Sequence, residues 1–256
     1  MAQSTTPPIP REHGAYVVLG ACWLFGIFSA DTVEALPAVL SLVAAFAGFA
    51  LAEPARLLAG SLRSGRNVAQ RGRWLRWIAA LAAVALASGI PLLVMRPVIL
   101  WAVPPVLALL AGYLWLTSRR ASMTDLSIVG FIALSMTAPL ARVAATDAWT
   151  PGVLIALWLF TALFFCASAW CVRVRLVGYD GLALASAAHV ALVVLTIVLA
   201  ARGLLPVIAL VAIGPAVVRF VWVALDVSRY RQQTLKRIGL METAIALVLV
   251  AASALF

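Results

Sequence analysis

The chain has 256 residues, of which 65% are hydrophobic and 11% are charged, and its mean hydropathy is +1.09. Soluble domains carry about 45–50% apolar and about 25% charged residues, so the composition excludes a soluble enzyme, a disordered protein and a disulfide scaffold. The net charge of +10 would suit nucleic acid in a soluble protein, but the basic residues lie in short segments between apolar runs. We therefore expect a polytopic membrane protein with the lipid bilayer as its partner and no nucleic acid.

Nine apolar runs follow one another along the chain. Each is close to the ~20 residues that an α-helix needs to cross the hydrocarbon core. Because backbone groups in lipid must be hydrogen-bonded internally, the runs are predicted to be helices, and the alternating polarity of barrel strands is not seen. The predicted spans are residues 15–30, 36–52, 75–95, 98–117, 126–145, 153–172, 182–201, 204–225 and 238–256. The predicted fold class is all-α, a polytopic transmembrane helical bundle of about nine spans.

The predicted domain organisation is simple. Residues 1–14 are expected to form a short cytoplasmic segment, and residues 15–256 a single transmembrane helical domain. A cleaved leader is not expected, since the segment before the first run carries only the net-neutral pair Arg11 and Glu12. Residues 54–74 are predicted to be the longest loop. The three cysteines are odd in number and no pair has C-x-x-C spacing, so neither a disulfide nor a metal site is expected. No cofactor is predicted.

The distribution of basic residues predicts the orientation. With a cytoplasmic N-terminus, nine spans place 15 of the 19 basic residues in cytoplasmic segments. These are Arg11, Arg56, Arg63, Arg66, Arg71, Arg73, Arg76, Arg119, Arg120, Arg173, Arg175, Arg229, Arg231, Lys236 and Arg237. The chain is therefore predicted to lie in the inner (cytoplasmic) membrane with its C-terminus outside.

Ionisable residues within or beside the spans are the candidate functional residues, because charges are costly in a bilayer. Several of them are expected to lie in one layer just beneath the cytoplasmic surface. The candidate catalytic residues, which could move protons, are Glu12, His13, His189 and Glu242. The candidate ligand-binding residues are Glu53, Arg56, Arg173, Arg175 and Arg219.

Structural roles compete with these functional interpretations. Arg56, Arg173 and Arg175 could simply anchor span ends with their heads in the interface. Arg142 is expected to snorkel or to pair with Asp147. Arg219 and Glu242 are harder to explain that way, since neither head reaches water easily, and an ion pair facing the bundle interior is the cheaper arrangement.

A short motif at the start of the first span carries a family resemblance. Residues Pro10-Arg11-Glu12-His13-Gly14-Ala15 resemble the signature of the YwiC-like family of bacterial membrane proteins. The similarity continues at Phe164-Phe165, Val172-Arg173, His189 and Arg237-Ile238-Gly239-x-x-Glu242, so it is expected to cover most of the chain.

The predicted span count and loop placement are also similar to those of the UbiA superfamily of intramembrane prenyltransferases. That resemblance implies a nine-helix bundle with a site open to the cytoplasmic side. UbiA enzymes hold Mg²⁺ on two Asp-rich motifs, whereas this chain has only Glu53 after span two and Asp180 after span six. Two carboxylates cannot form two magnesium sites, so metal-assisted ionisation of a prenyl diphosphate is not supported.

Three functional hypotheses remain. The favoured one is a UbiA-like bundle that binds an anionic isoprenoid or lipid-like ligand at a polar cavity open to the cytoplasm, with any transferase chemistry proceeding without the usual metals. The alternatives are a carrier for a small anion or metabolite and a non-catalytic membrane subunit or assembly factor. The sequence does not determine the oligomeric state.

Overall fold

A computed structural model describes residues 13–118 and 123–255. Within those ranges every regular element is a helix, as predicted for an all-α fold. The α-helices are α1 (His13–Phe28), α2 (Ala35–Ser64), α3 (Arg71–Met95), α4 (Val103–Ser118), α5 (Met123–Ser135), α6 (Thr137–Thr146), α7 (Pro151–Val177), α8 (Leu182–Ala201), α9 (Ile208–Ala212), α10 (Gly214–Leu225), α11 (Val227–Arg231) and α12 (Leu235–Ser253). Short 3-10 turns cover Val68–Gln70, Pro97–Ala102 and Gly178–Gly181.

Five helical stretches among the described residues are long and apolar enough to cross a membrane. They are Ala35–Ser64, Val68–Met95, Leu126–Thr146, Pro151–Ala201 and Ile208–Leu225. Two further apolar helices, Gly14–Phe28 and Pro97–Tyr113, are shorter. The 51-residue stretch contains two α-helices, α7 and α8, which pack against each other across a turn at Gly178, where φ is +70°. Each of the nine predicted runs therefore overlaps with helix within the described residues, and five stretches meet the length and hydropathy requirements for a span.

The prediction that residues 54–74 form a long loop is wrong. Helix α2 continues through Pro54 as far as Ser64, and only residues 65–70 separate it from α3. Proline costs a helix one backbone hydrogen bond, and the alanines and leucines that follow Pro54 are strong helix formers. The helix ends at Gly65, which has φ +67° and donates its N–H to the carbonyl of Ser61. This left-handed C-cap favours glycine.

Prolines accompany the interruptions inside two of the predicted spans. The fifth span divides into α5 and α6 at Met136, three residues before Pro139. The eighth divides into α9 and α10 at Ile213, and Pro215 lies in the first turn of α10. Because proline cannot donate to the preceding turn and its ring crowds that turn, a helix breaks or kinks just before it.

Helix α1 lies at the centre of the packing, in contact with α2, α5, α6, α7 and α12. Its sequence is apolar on every face, which is typical of a helix surrounded by protein. Cys22 and Phe25 are fully buried, and Phe25 stacks on Phe160 of α7 with 5.2 Å between ring centroids. At Gly26 the backbone of α1 approaches Ala138 so closely that a side chain would overlap its carbonyl group. Helix α3, by contrast, packs mainly on α2 and exposes most of its apolar surface.

Salt bridges join helix ends at the end of the bundle where α1 finishes and α2 begins. Buried Arg96 lies 2.6 Å from Glu34 and 3.7 Å from Asp147, and it donates to the carbonyl of Ala144 at 3.2 Å. We call Arg96, Glu34 and Asp147 the Arg96 network. Arg142 pairs with Asp31 at 3.5 Å rather than with Asp147, because Asp147 is turned towards Arg96. The expected pairing of Arg142 is therefore wrong.

Candidate functional site

Four polar side chains meet inside the bundle, one from each of four helices. They are Ser168 of α7, His189 of α8, Arg219 of α10 and Glu242 of α12, and we call them the Arg219 cluster. The neighbouring residues in the chain are alanine, valine, phenylalanine and methionine, except for Thr243 after Glu242, so the cluster is a polar site in largely apolar surroundings.

Arg219 is the central residue of the cluster. Its side chain is 3% exposed and forms an ion pair with Glu242, whose side chain is 19% exposed. The Ser168 hydroxyl donates to the other carboxylate oxygen of Glu242 and lies 3.5 Å from Nη1 of Arg219. A buried guanidinium must have its charge compensated, and Glu242 provides that charge. Glu242 and half-buried Ser168 form the more accessible edge of the cluster.

The contacts of His189 define its tautomer. Its Nδ1 lies 2.8 Å from the carbonyl oxygen of Ala185, which can only accept, and its Nε2 lies 3.5 Å from Nη2 of Arg219, which can only donate. The imidazole is therefore neutral, with its proton on Nδ1. The ring also stacks on Phe220, with 4.3 Å between centroids and 17° between planes. Nε2 is left as an acceptor directed at Arg219.

Polar groups that the sequence analysis did not select also lie around the Arg219 cluster. Tyr230 of α11 is fully buried and is close enough to Arg219 and Cys171 to interact electrostatically with both. Within the described residues, neither the Tyr230 hydroxyl nor Nε of Arg219 has a hydrogen-bond partner. Burial raises the pKa of the Tyr230 hydroxyl above its ordinary value. Ser168 carried a weak signal as a hydroxyl in the apolar stretch of α7, whereas the position of Tyr230 depends on the turn between α10 and α12.

Arg173 and Arg175 lie at the end of α7 that adjoins α11. Arg175 donates from Nε to the carbonyl of Gln233 at 2.8 Å, which attaches α7 to the segment before α12. The guanidinium of Arg173 lies 5.1 Å from the ring centroid of Trp170. Both side chains are partly exposed, and both lie on the same helix as Ser168, beyond it in the chain.

The remaining sequence candidates lie elsewhere. Glu53 and Arg56 form an ion pair with each other on α2, at 2.7 Å, and α2 packs mainly on α1, α3 and α6. Glu12 lies outside the described residues, and so does the side chain of His13, the first residue of α1. The structure thus brings together His189, Arg219 and Glu242 and places Glu53 and Arg56 on a different group of helices.

A cavity of about 450 Å³ lies at the other end of α1, away from the Arg219 cluster. It is lined by Ile27, Phe28, Ser29, Ala30, Asp31, Val33 and Ala254. Among the described residues, no three histidine, cysteine or carboxylate side chains are grouped so that they could hold a metal ion.

These features define the class of protein: an all-helical chain with several membrane-length apolar helices and a charged cluster buried among them. The family model of the YwiC-like proteins matches residues 9–142, which is more than half of the chain, so the chain belongs to the YwiC-like family. Comparisons with curated proteins and with solved structures found no match.

The matched region contains the opening motif and helices α1 to α5. The expected similarity at Phe164-Phe165, Val172-Arg173, His189 and Arg237-Ile238-Gly239-x-x-Glu242 lies outside the matched region. All four residues of the Arg219 cluster lie beyond residue 142, so the family match does not reach them.

Proposed function

We propose that this protein crosses the bacterial inner membrane nine times, with the N-terminus in the cytoplasm and the C-terminus outside. Helix lies at each of the nine apolar runs, and short connections such as Gly178–Gly181 reverse the chain between neighbouring helices. This topology puts 15 of the 19 basic residues on one side, in agreement with the positive-inside rule. It puts the acidic residues Asp31, Glu34 and Asp147 on the other side.

We further propose that the Arg219 cluster binds the anionic head of an isoprenoid or lipid-like ligand that enters from the cytoplasmic leaflet. The observation that carries this proposal is the buried ion pair of Arg219 and Glu242, with Ser168 and His189 around it. Ionisable residues within a membrane bundle are costly and commonly mark ligand or ion pathways. A guanidinium binds phosphate or carboxylate oxygens in a bidentate manner, and the lipid-facing helices would accommodate an apolar tail.

Binding by this cluster requires an exchange of partners. Arg219 is neutralised by Glu242, so an incoming anion must compete with that carboxylate. Protonation of Glu242 would remove its charge and release the guanidinium, while Ser168 would still hydrogen-bond to it. Because a glutamine has the shape of a protonated glutamate, Glu242→Gln is expected to strengthen anion binding.

The bundle is proposed to be UbiA-like in helix number and in the position of its site near the cytoplasmic ends of the helices. The two carboxylates that replace the Asp-rich motifs are Glu53, paired with Arg56, and Asp180 in the turn after α7. The chemistry proposed is therefore recognition of an anion by arginine. Arg173 and Arg175, at the same end of α7, would attract the head before it reaches Arg219.

The experiment uses farnesyl phosphate as the probe and farnesol, which has the same tail without the charge, as the control ligand. Wild-type protein in detergent is expected to show a larger rise in melting temperature with farnesyl phosphate than with farnesol. The double variant Arg219→Gln/Glu242→Gln removes both charges and is expected to abolish that difference.

The double variant Glu53→Gln/Arg56→Gln is the matched control, since it also removes one ion pair but on a different group of helices. It is expected to respond like the wild type. Equal stabilisation by farnesol and farnesyl phosphate, or an unchanged response in the Arg219 and Glu242 double variant, would show that the cluster does not bind the anionic head.

A carrier for a small anion is the second candidate, and the Arg96 network favours it. Replacement of Glu242 by an incoming anion would open the Arg219 cluster on one side. The Arg96 network holds the ends of α2, α3 and α6 together at the opposite end of the bundle. Closure at one end with access at the other corresponds to one of the two states of a carrier that works by alternating access. Uptake of radiolabelled phosphate into proteoliposomes, compared with protein-free vesicles, tests this candidate. Equal uptake by both would exclude phosphate transport.

A further inference from the structure

The connection between α2 and α3 carries a concentrated positive charge. Six arginines lie between Arg56 and Arg76, and no acidic residue occurs from residue 54 to residue 124. The structure brings these arginines together because α2 extends past Pro54 and only six residues lie between the end of α2 and the start of α3. Helices α2 and α3 pack against each other along their length, so the six arginines lie at one end of a helical hairpin.

Three of the six arginines are exposed and have no acidic partner within the described part of the chain: Arg63, Arg66 and Arg76. The others include two that have internal roles. Arg56 is paired with Glu53, and Arg71 donates to the hydroxyl of Ser61 at 2.9 Å and to its carbonyl at 2.7 Å. The contacts of Arg71 hold the connection in place and leave the three exposed guanidinium groups directed outwards.

Apolar side chains are exposed beside these arginines. Leu62 is 62% exposed, Val68 57% and Leu75 53%. Trp74 is buried, and Trp77, half-buried, begins the apolar part of α3. A surface with both apolar side chains and arginines matches the boundary between acyl chains and headgroups, where the apolar groups leave water and the basic groups meet phosphate.

We propose that this end of the hairpin, with Arg63, Arg66 and Arg76, is a binding surface for the headgroups of anionic phospholipids in the adjacent leaflet. Charge complementarity identifies the partner, since an uncompensated group of arginines next to a membrane attracts anionic lipid over zwitterionic lipid. Because the surface lies at the end of two membrane-length helices, its arginines would lie close to the lipid headgroups. The proposal is independent of the ligand suggested for the Arg219 cluster.

The test measures how many phosphatidylglycerol and phosphatidylcholine molecules the full-length protein retains in native mass spectrometry after addition of each lipid in detergent. One arginine near an anionic surface strengthens attachment roughly fivefold. The triple variant Arg63→Gln/Arg66→Gln/Arg76→Gln is therefore expected to lower the preference for phosphatidylglycerol by about tenfold or more.

The matched control is Arg229→Gln/Lys236→Gln/Arg237→Gln, which removes three exposed positive charges from the region of α11 and α12. These residues are predicted to lie on the same side of the membrane, so the control is expected to lower the preference, but by less than the first triple variant does. An unchanged preference in the first triple variant, an equal loss in both, or no preference in the wild type would overturn the proposal.

A second measurement needs no variant. Because the contact is between exposed charges, raising NaCl from 0.1 M to 0.5 M is expected to weaken the preference of the wild type for phosphatidylglycerol. A preference that does not change with salt would also overturn the proposal, even if the first triple variant failed to fold.

Discussion

Arg219 and Glu242 depend on each other at the level of single residues. The guanidinium is almost fully buried, and its charge is compensated by one carboxylate. Removing one partner of a buried pair leaves the other charge without compensation, which is far more costly than removing both. The stability of this part of the bundle therefore depends on the pair, whatever the pair binds.

The substitution Arg219→Gln is expected to destabilise the protein by roughly 3–5 kcal/mol, because the partly buried Glu242 is then left without its counter-ion. The double variant Arg219→Gln/Glu242→Gln is expected to recover most of that loss. Unfolding by sodium dodecyl sulfate in mixed micelles, followed by circular dichroism, measures both. If the double variant were as unstable as the single one, the ion pair would not be the reason for the loss.

The ionisable residues of the Arg219 cluster could be predicted from the sequence, but the other residues that surround them could not. Arg219 and Glu242 stand out because a charge within an apolar run needs a partner, and counting residues from the span ends put both at a similar depth. Ser168 and Phe220 have side chains that are common in membrane helices, so the sequence marks Ser168 only weakly and Phe220 not at all. The role of the cluster in binding or catalysis stays a prediction.

At the level of whole elements, the contact between α1 and α6 depends on small residues. Gly26 lies against the backbone of Ala138, and Ala138, Ala141, Ala144 and Ala145 of α6 are fully buried. Small residues let helices approach closely, which is the main source of packing energy between helices in a membrane. This contact holds the central helix against the half of the chain that precedes α7.

The substitution Gly26→Ala is expected to destabilise the protein by about 1–3 kcal/mol, since the added methyl group overlaps the Ala138 carbonyl and the helices must separate. Gly48→Ala is the matched control, because a side chain at Gly48 meets open space within α2. The control is expected to be neutral or slightly stabilising. Melting temperatures in detergent measure both, and equal effects would contradict the close approach.

Element boundaries were harder to predict than the elements themselves. The polar residues Glu53, Arg56 and Arg63 suggested that the second span ended near residue 52, but α2 continues to Ser64. Hydropathy reports where a helix leaves lipid, whereas a helix ends where its backbone hydrogen bonds end, here at Gly65. The two limits differ whenever a helix extends beyond the hydrocarbon.

For the whole molecule, the proposed nine crossings place residues 32 and 64 on opposite sides of the membrane. Thr32→Cys is expected to react with a membrane-impermeant maleimide in intact spheroplasts, and Ser64→Cys only after the membrane is disrupted. Both positions are exposed, and the three native cysteines are buried, so background labelling is expected to be low. Labelling of Ser64→Cys from outside would mean that the orientation is reversed.

Composition and hydropathy alone determine that this is a helical membrane protein and where most of its helices lie. That information is local, because lipid offers no partner to backbone groups and each apolar segment must satisfy its own hydrogen bonds. Which polar residues meet is not local. The joining of Arg219 with His189 and Ser168, the pairing of Arg96 with Glu34 and Asp147, and the contact of Gly26 with Ala138 all depend on helices distant in the chain. Only packing in three dimensions sets those distances.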